Sequence, residues 1–271
     1  MNPGKLIKWY IFLLCLTLAI MALLWLFTTN RKDMPRDYPE IKKEGILRIV
    51  TEYNSVGYYV SGDTIEGFHY KLSKAIEKIS GLEVEIHIEN NLEKSIEGLN
   101  GQNYDIIARN IPITTENRNF FAFTKPITLS RQVLVQRTAK ANNNIPPIRN
   151  QIELAQKTLH LAQNSPCILR LRHLEEEIAD TIYIQEDASY SEEYLIQLVA
   201  EGNIDYAVVD YKIAAKNKKA FPQIDFQTDI SFTQLQAWAL RKESTVLLDS
   251  LNQWLDSVEN GKLKIENYKT K

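Results

Sequence analysis

Disulfides, metals and nucleotide phosphates all call for residues that this chain barely has. Its two cysteines are Cys15, inside an apolar run, and Cys167. They are not placed to pair, so the fold does not depend on a disulfide, and the count leaves the redox compartment open. The four histidines (His69, His87, His160, His173) lie far apart and form no metal-ligand motif. Neither a Gly-x-Ser-x-Gly elbow nor a glycine-rich phosphate loop occurs. Charge of neither sign dominates: 32 Lys and Arg against 34 Asp and Glu leave a net charge of −2, and no long basic stripe argues for nucleic acid. Internal repeats and low-complexity tracts are missing too. The sequence therefore names no catalytic group, no metal site and no cofactor, and points towards binding.

One long apolar run is present. Trp9 to Phe27, WYIFLLCLTLAIMALLWLF, carries no charge, and as a helix it would be about 28 Å long, enough for a bilayer core. Trp9, Tyr10 and Trp25 fall near its ends, where amphipathic rings favour the headgroup region. A cleaved signal peptide would want a small-x-small site after the run, and none follows. A lipoprotein would want a small residue before its cysteine, whereas Cys15 follows Leu13-Leu14. The expectation is an uncleaved anchor over residues 1–28, followed by a tether over 29–44 containing Pro35 and Pro39. Lys5 and Lys8 precede the run and Arg31, Lys32 and Arg36 follow it, so charge does not decide its orientation.

About 230 residues remain, room for one large domain or two lobes. Strand patterns at Ile46–Thr51, Leu82–Ile88, Lys157–Ala162 and Ile204–Val209 alternate with helical stripes such as Leu72, Ala75, Ile76 and Ile79. That alternation predicts an α/β fold with a mostly parallel sheet. Helices are also predicted over Asn91–Leu99, Cys167–Ala179 and Ser191–Ala200, and at Leu247 to Val258.

Three strand ends carry polar residues. Tyr104-Asp105-Ile106-Ile107-Ala108 reads as a buried strand that opens into a loop, Arg109-Asn110-Ile111-Pro112-Ile113-Thr114-Thr115, where Pro112 forbids a helix. A polar loop at the carboxyl end of a buried strand suits a ligand site in an α/β sheet, although an ordinary surface loop accounts for it as well. Ser165-Pro166 after the Lys157–Ala162 strand suits either an anion site at a helix start or a plain helix cap. Asp210, ending another strand, either meets a ligand or caps the helix that starts at Tyr211. His69 reads as a surface or helix-start histidine.

Taken in order, Tyr-Asp-Ile-Ile-Ala from Tyr104, Ile113-Thr114-x-Glu116, Phe123-Thr124-x-Pro126, Arg131 to Arg137, Gly202 to Asp210 and Gly261 to Tyr268 resemble the family 3 periplasmic solute-binding proteins, the amino-acid receptors of ABC importers. The pattern is similar, closer still, to the non-catalytic amino-terminal domain of the membrane-bound lytic transglycosylase F family. The resemblance spans roughly residues 45–268. It implies a two-lobed periplasmic-binding-protein type II fold, with lobe 1 at about 45–132 plus 236–268 and lobe 2 at about 133–235, joined by two crossover strands. It also implies a soluble part on the periplasmic side of a bacterial inner membrane, held there through residues 9–27. The ligand would be small and polar (an amino acid, a short peptide or a muropeptide), and the partner an ABC permease or a cell-wall enzyme.

By the same resemblance Glu52 and Tyr53 line the mouth of the cleft, Arg109, Asn110, Thr114 and Arg118 serve the first lobe, and Ser165 and Asp210 the second. Two departures stand out. The family's Gly-Phe-Asp-x-Asp is here Gly67-Phe68-His69-Tyr70-Lys71, and the position of its carboxylate-gripping arginine falls on Asn117, with Arg118 one step away. The transglycosylases keep their catalytic glutamate in a separate domain that follows this one; Glu243-Ser244 has none of that domain's surrounding pattern, so catalysis is not expected.

Overall fold

The structure, a computed structural model, describes residues 9, 12–23, 36–163, 165–187 and 190–262. The chain forms two units, Met1–Arg36 and Asp37–Lys271. In the first, residues 12–23 are helical (α1) with exposed apolar side chains. No helix among the described residues is long and apolar enough to cross a membrane; residues 1–8, 10, 11 and 24–28 of the expected anchor lie outside them.

The second unit starts earlier than the sequence suggested. Tyr38–Glu44, expected inside a tether, is a helix (α2) that buries Ile41 completely. Asp37 accepts the Tyr38 N–H at 2.8 Å and Glu40 completes a capping box, so a polar, proline-containing stretch starts a helix instead of a linker.

One sheet has the order β4-β1-β5-β13-β6, with β7 also on β13. Its strands are β1 (Ile46–Thr51), β4 (Glu83–Ile88), β5 (Ile106–Pro112), β6 (Ala122–Phe123), β7 (Thr128–Ser130) and β13 (Gln234–Leu240). β1 runs parallel to β4 and β5, while β13 is antiparallel to β5. Alternation along the strands divides the core: Ile49, Ile106 and Trp238 join α2, α3 (Phe68–Ser80) and α9 (Thr245–Ser257), whereas Val50, Ile107 and Ala239 join Leu99 of α4 (Leu92–Asn100).

The other sheet has the order β10-β9-β11-β8-β12. It comprises β8 (Gln132–Arg137), β9 (Thr158–Ala162), β10 (Tyr183–Asp187), β11 (Ala207–Asp210) and β12 (Ile224–Asp229). β9 to β11 are parallel, and β8 is antiparallel to both β11 and β12. Val133, Val135 and Val209 pack on one side with α7 (Glu192–Glu201) and α8 (Tyr211–Asn217); Leu134, Leu159 and Val208 pack on the other with α6 (Ile168–Ile178).

Two crossings join the halves: Arg131 between β7 and β8, and Ile230 to Thr233 between β12 and β13. They lie against each other, since the Ile230 N–H donates to the Gln132 carbonyl at 2.9 Å and the Gln132 N–H to Ser231 Oγ at 2.9 Å.

Candidate functional site

A cleft of about 1040 Å3 lies between the sheets, and strand ends from both halves line it. Seven of the eight sequence-predicted residues are on its wall: Glu52, Tyr53, Arg109, Asn110 and Thr114 from one half, Ser165 and Asp210 from the other. Arg118 is not. It is exposed on the outside of α5 (Thr115–Phe120), and Asn117 of the same helix faces the cleft instead, its Nδ2 donating to the Pro112 carbonyl at 2.9 Å. A shift of one residue on a helix turns a side chain by about 100°, which is enough to take Arg118 off the wall.

Arg109 and Asn110 sit in a strand, not in the expected loop, because β5 continues through Pro112. Antiparallel pairing with β13 satisfies that backbone, and Pro112 falls on the last strand residue, where a missing N–H is tolerated. The Arg109 guanidinium forms an ion pair with Glu52 and donates to the Asn90 carbonyl at 3.1 Å; its Nη1 is buried without a partner. Tyr53 stands half-exposed at the mouth, its N–H held by Asn90 Oδ1 at 2.9 Å. Thr114 caps α5 through Asn117 N (3.1 Å) and still reaches the cleft.

On the opposite wall Asp210 combines both of its expected roles. Its Oδ1 accepts from Lys212 N at 2.8 Å, capping α8, and from Ser130 Oγ at 2.8 Å, while the residue lines the cleft. Burial raises its carboxyl above the ordinary range, offset in part by the Ser130 and Lys212 hydrogen bonds. The Asp210 N–H donates to Glu192 Oε2 at 3.1 Å. Burial pushes Glu192 well up as well, reinforced by the neighbouring charges of Asp210 and Glu52. Burial lowers the Lys212 ammonium, with Asp210 pulling the other way. Ser165 also lines the cleft, but α6 starts only at Ile168, so Pro166 does not occupy its first turn; Ser165 Oγ accepts from Cys167 N at 3.3 Å.

Sequence reasoning missed Gln132, Glu192 and Glu193. Ser191-Glu192-Glu193 has the signature of an ordinary helix start, and only the fold carries it to Asp210. Gln132 opens β8 just after the crossing at Arg131, and its Oε1 is buried with no hydrogen-bond partner. His69 begins α3 as read, yet it is buried, and its Nδ1 accepts from Trp238 Nε1 at 3.0 Å. Among the described residues no group of His, Cys, Asp and Glu is arranged to hold a metal.

Two α/β lobes joined by adjacent crossings around a cleft define a fold of the periplasmic binding-protein type. The chain belongs to the bacterial extracellular solute-binding proteins, family 3, whose model matches residues 47–267. Among curated relatives, the membrane-bound lytic murein transglycosylase F of Desulfosudis oleivorans is 29% identical over 250 residues, covering 92% of this chain and 53% of that protein. That of Pseudomonas putida is 26% identical over 252 residues, covering 89% and 50%. The chain thus spans about half the length of these relatives, the half that holds their solute-binding domain. Among solved structures, an ancestral arginine-binding protein bound to arginine superposes with a TM-score of 0.70 at 21% identity, over 81% of this chain and 94% of that one. The P235GK mutant of the T. maritima arginine-binding protein gives 0.69 at 23% identity, over 83% and 94%. At these identities the structural likeness speaks for the fold alone.

Proposed function

We propose that the protein is a membrane-anchored, periplasm-facing module that closes over a small polar ligand without catalysing a reaction, in the service of transport or sensing. One observation carries this reading: Glu52, Arg109 and Asn110 face Ser165 and Asp210 across a single cleft between two hinged lobes. Closure would be a hinge motion at the two crossings, drawing on a population that already exists without ligand. The ligand of this reading is small and polar: an amino acid, a short peptide or a muropeptide. The apolar run at residues 9–27 supports attachment to the inner membrane, and the kinship with membrane-bound transglycosylases supports the same placement. In this reading lobe 1 runs over about residues 45–132 and from about 236 onwards, with α2 packed onto it, and lobe 2 over about 133–235; residues 263–268 lie outside the described ones.

Kinship to transglycosylase F also favours a second reading, a regulator that binds cell-wall fragments for a partner enzyme and feeds no permease. A thermal-shift screen of amino acids, peptides and muropeptides tests both. A ligand at 100 times its Kd adds about 2.7 kcal/mol of stability. Arg109→Ala and Asp210→Ala are each expected to weaken that shift; if both leave it unchanged, the site is elsewhere. Release of anhydro-muropeptides from purified peptidoglycan would overturn the non-catalytic reading.

A further inference from the structure

The charge inside the cleft narrows the ligand class. Six lining side chains are acidic (Glu52, Glu89, Glu116, Glu192, Glu193 and Asp210), against three basic ones. Two of the three are exposed, and the third, Arg109, is largely buried and already paired, with its Nη1 left without a partner. Arg109 is held by Glu52, Arg172 is exposed and paired with Glu175 at 2.7 Å, and Lys94 is exposed on α4. Asn117, on the same wall, brings an amide and no charge. The second lobe offers the converse. Asp210 and Glu192 lie side by side at a strand end, and Gln132, which pairs with Asp210 where β8 runs beside β11, is only 6% exposed, with a side-chain oxygen that meets no donor. On the first lobe Asn110 Oδ1 is likewise buried and unmet. A buried acceptor without a donor is costly, and a ligand rich in N–H groups removes that cost.

We infer that the cleft selects a small cation with no free carboxylate, an amine or guanidine whose N–H groups meet Asp210, Glu192 and Gln132. The inference rests on the solute-binding reading and sharpens it. A carboxylate entering here would find carboxyl groups outnumbering cations six to three, and the one largely buried guanidinium already shared with Glu52 and left with one buried nitrogen open. Recognition is therefore a specificity of exclusion as much as of attraction.

Matched pairs that differ only in the carboxylate test this: L-arginine against agmatine, and L-lysine against 1,5-diaminopentane, titrated calorimetrically into the full chain. The decarboxylated member of at least one pair is expected to bind ten times or more tighter than its amino acid. In Glu52→Gln, which unmasks Arg109, the amino acid should gain at least fivefold, and Asn117→Arg should produce a similar gain while leaving the Glu52–Arg109 pair intact. Tighter binding of either amino acid than of its amine, or no gain in both variants, overturns the inference. Binding of neutral or anionic muropeptides in place of any cation overturns it too, while sparing the solute-binding reading. If no probe binds, both readings fall.

Discussion

At the scale of single residues, His69 sets a pH limit on the fold. It is buried beneath Gly57, where an added Cβ would come within 2.6 Å of its ring, and it accepts the Trp238 indole N–H, which fixes the neutral tautomer. Burial lowers its pKa from 6.5 to about 3, and the charges of Arg109 and Lys212 add to the effect. The folded state therefore binds a proton less readily than the unfolded chain, so stability is complete above pH 6.5 and is lost as pH falls from there towards 3. Each pH unit in that window costs up to about 1.4 kcal/mol. Urea melts at pH 7 and pH 5 should show a loss of about 2 kcal/mol in the wild type that His69→Gln lacks. Taking the difference between the two proteins cancels the opposite effect of Asp210 and Glu192, whose raised carboxyls take up protons early in the folded state. An equal pH loss in both proteins would remove His69 from this role.

Helix ends and strand ends are where elements become fold, and Asp37 serves two of them at once. Besides capping α2, it accepts from Leu247 N at 2.7 Å and Val246 N at 3.1 Å, supplying α9 with the cap that Ser244 does not provide. Asp37→Ala should cost about 2 kcal/mol, roughly one for each helix start, and Asp37→Asn much less, read as the shift in urea midpoint. An alanine effect below about 0.5 kcal/mol would mean that the two helices do not depend on it. The double cap also shows what the sequence discloses and what it hides. The strands at Ile46–Thr51 and Ala207–Asp210 were readable because β-branched runs announce themselves locally, and Asp210 was readable as both cap and wall because the two roles share one position. Asp37 looked like linker because its second helix lies more than 200 residues away. Arg109 looked like loop because nothing near Pro112 reveals that β13 will pair with it, and Arg118 was chosen over Asn117 because neighbouring positions on a short helix differ in direction, which composition does not record. The acidic pair of Asp210 and Glu192 was invisible for the same reason, as a contact made only by the packing of α7 against β11.

At the scale of the whole binding unit, the loop after β1 reaches from one lobe to the other and holds them together. Ser55 donates from its N–H (2.8 Å) and its Oγ (3.0 Å) to Glu193 Oε1 on α7, and Asn217 Nδ2 of α8 donates to Ser55 Oγ at 3.2 Å. Val56 packs against the core of the second sheet, and the Lys216 ammonium lies 5.6 Å from the Tyr59 ring centroid. These contacts are made by the protein alone, so they favour the arrangement that brings the lobes together, and in the solute-binding reading the affinity of the cleft is its intrinsic affinity scaled by the closed fraction. A hydrogen bond to a carboxylate contributes about 1.5–3 kcal/mol when well ordered, less where water reaches it. Ser55→Ala, off the cleft wall, removes the Oγ bonds to Glu193 and Asn217 while leaving the hinge and the cleft lining untouched. In small-angle scattering the ligand-free variant should show a larger radius of gyration than the wild type, and the two should converge at saturating ligand. Ligand affinity should fall about three- to tenfold, the fraction by which closure becomes rarer. An unchanged radius together with unchanged affinity would mean that the lobes stay together by the hinge alone, and that the loop after β1 merely rests on its neighbour.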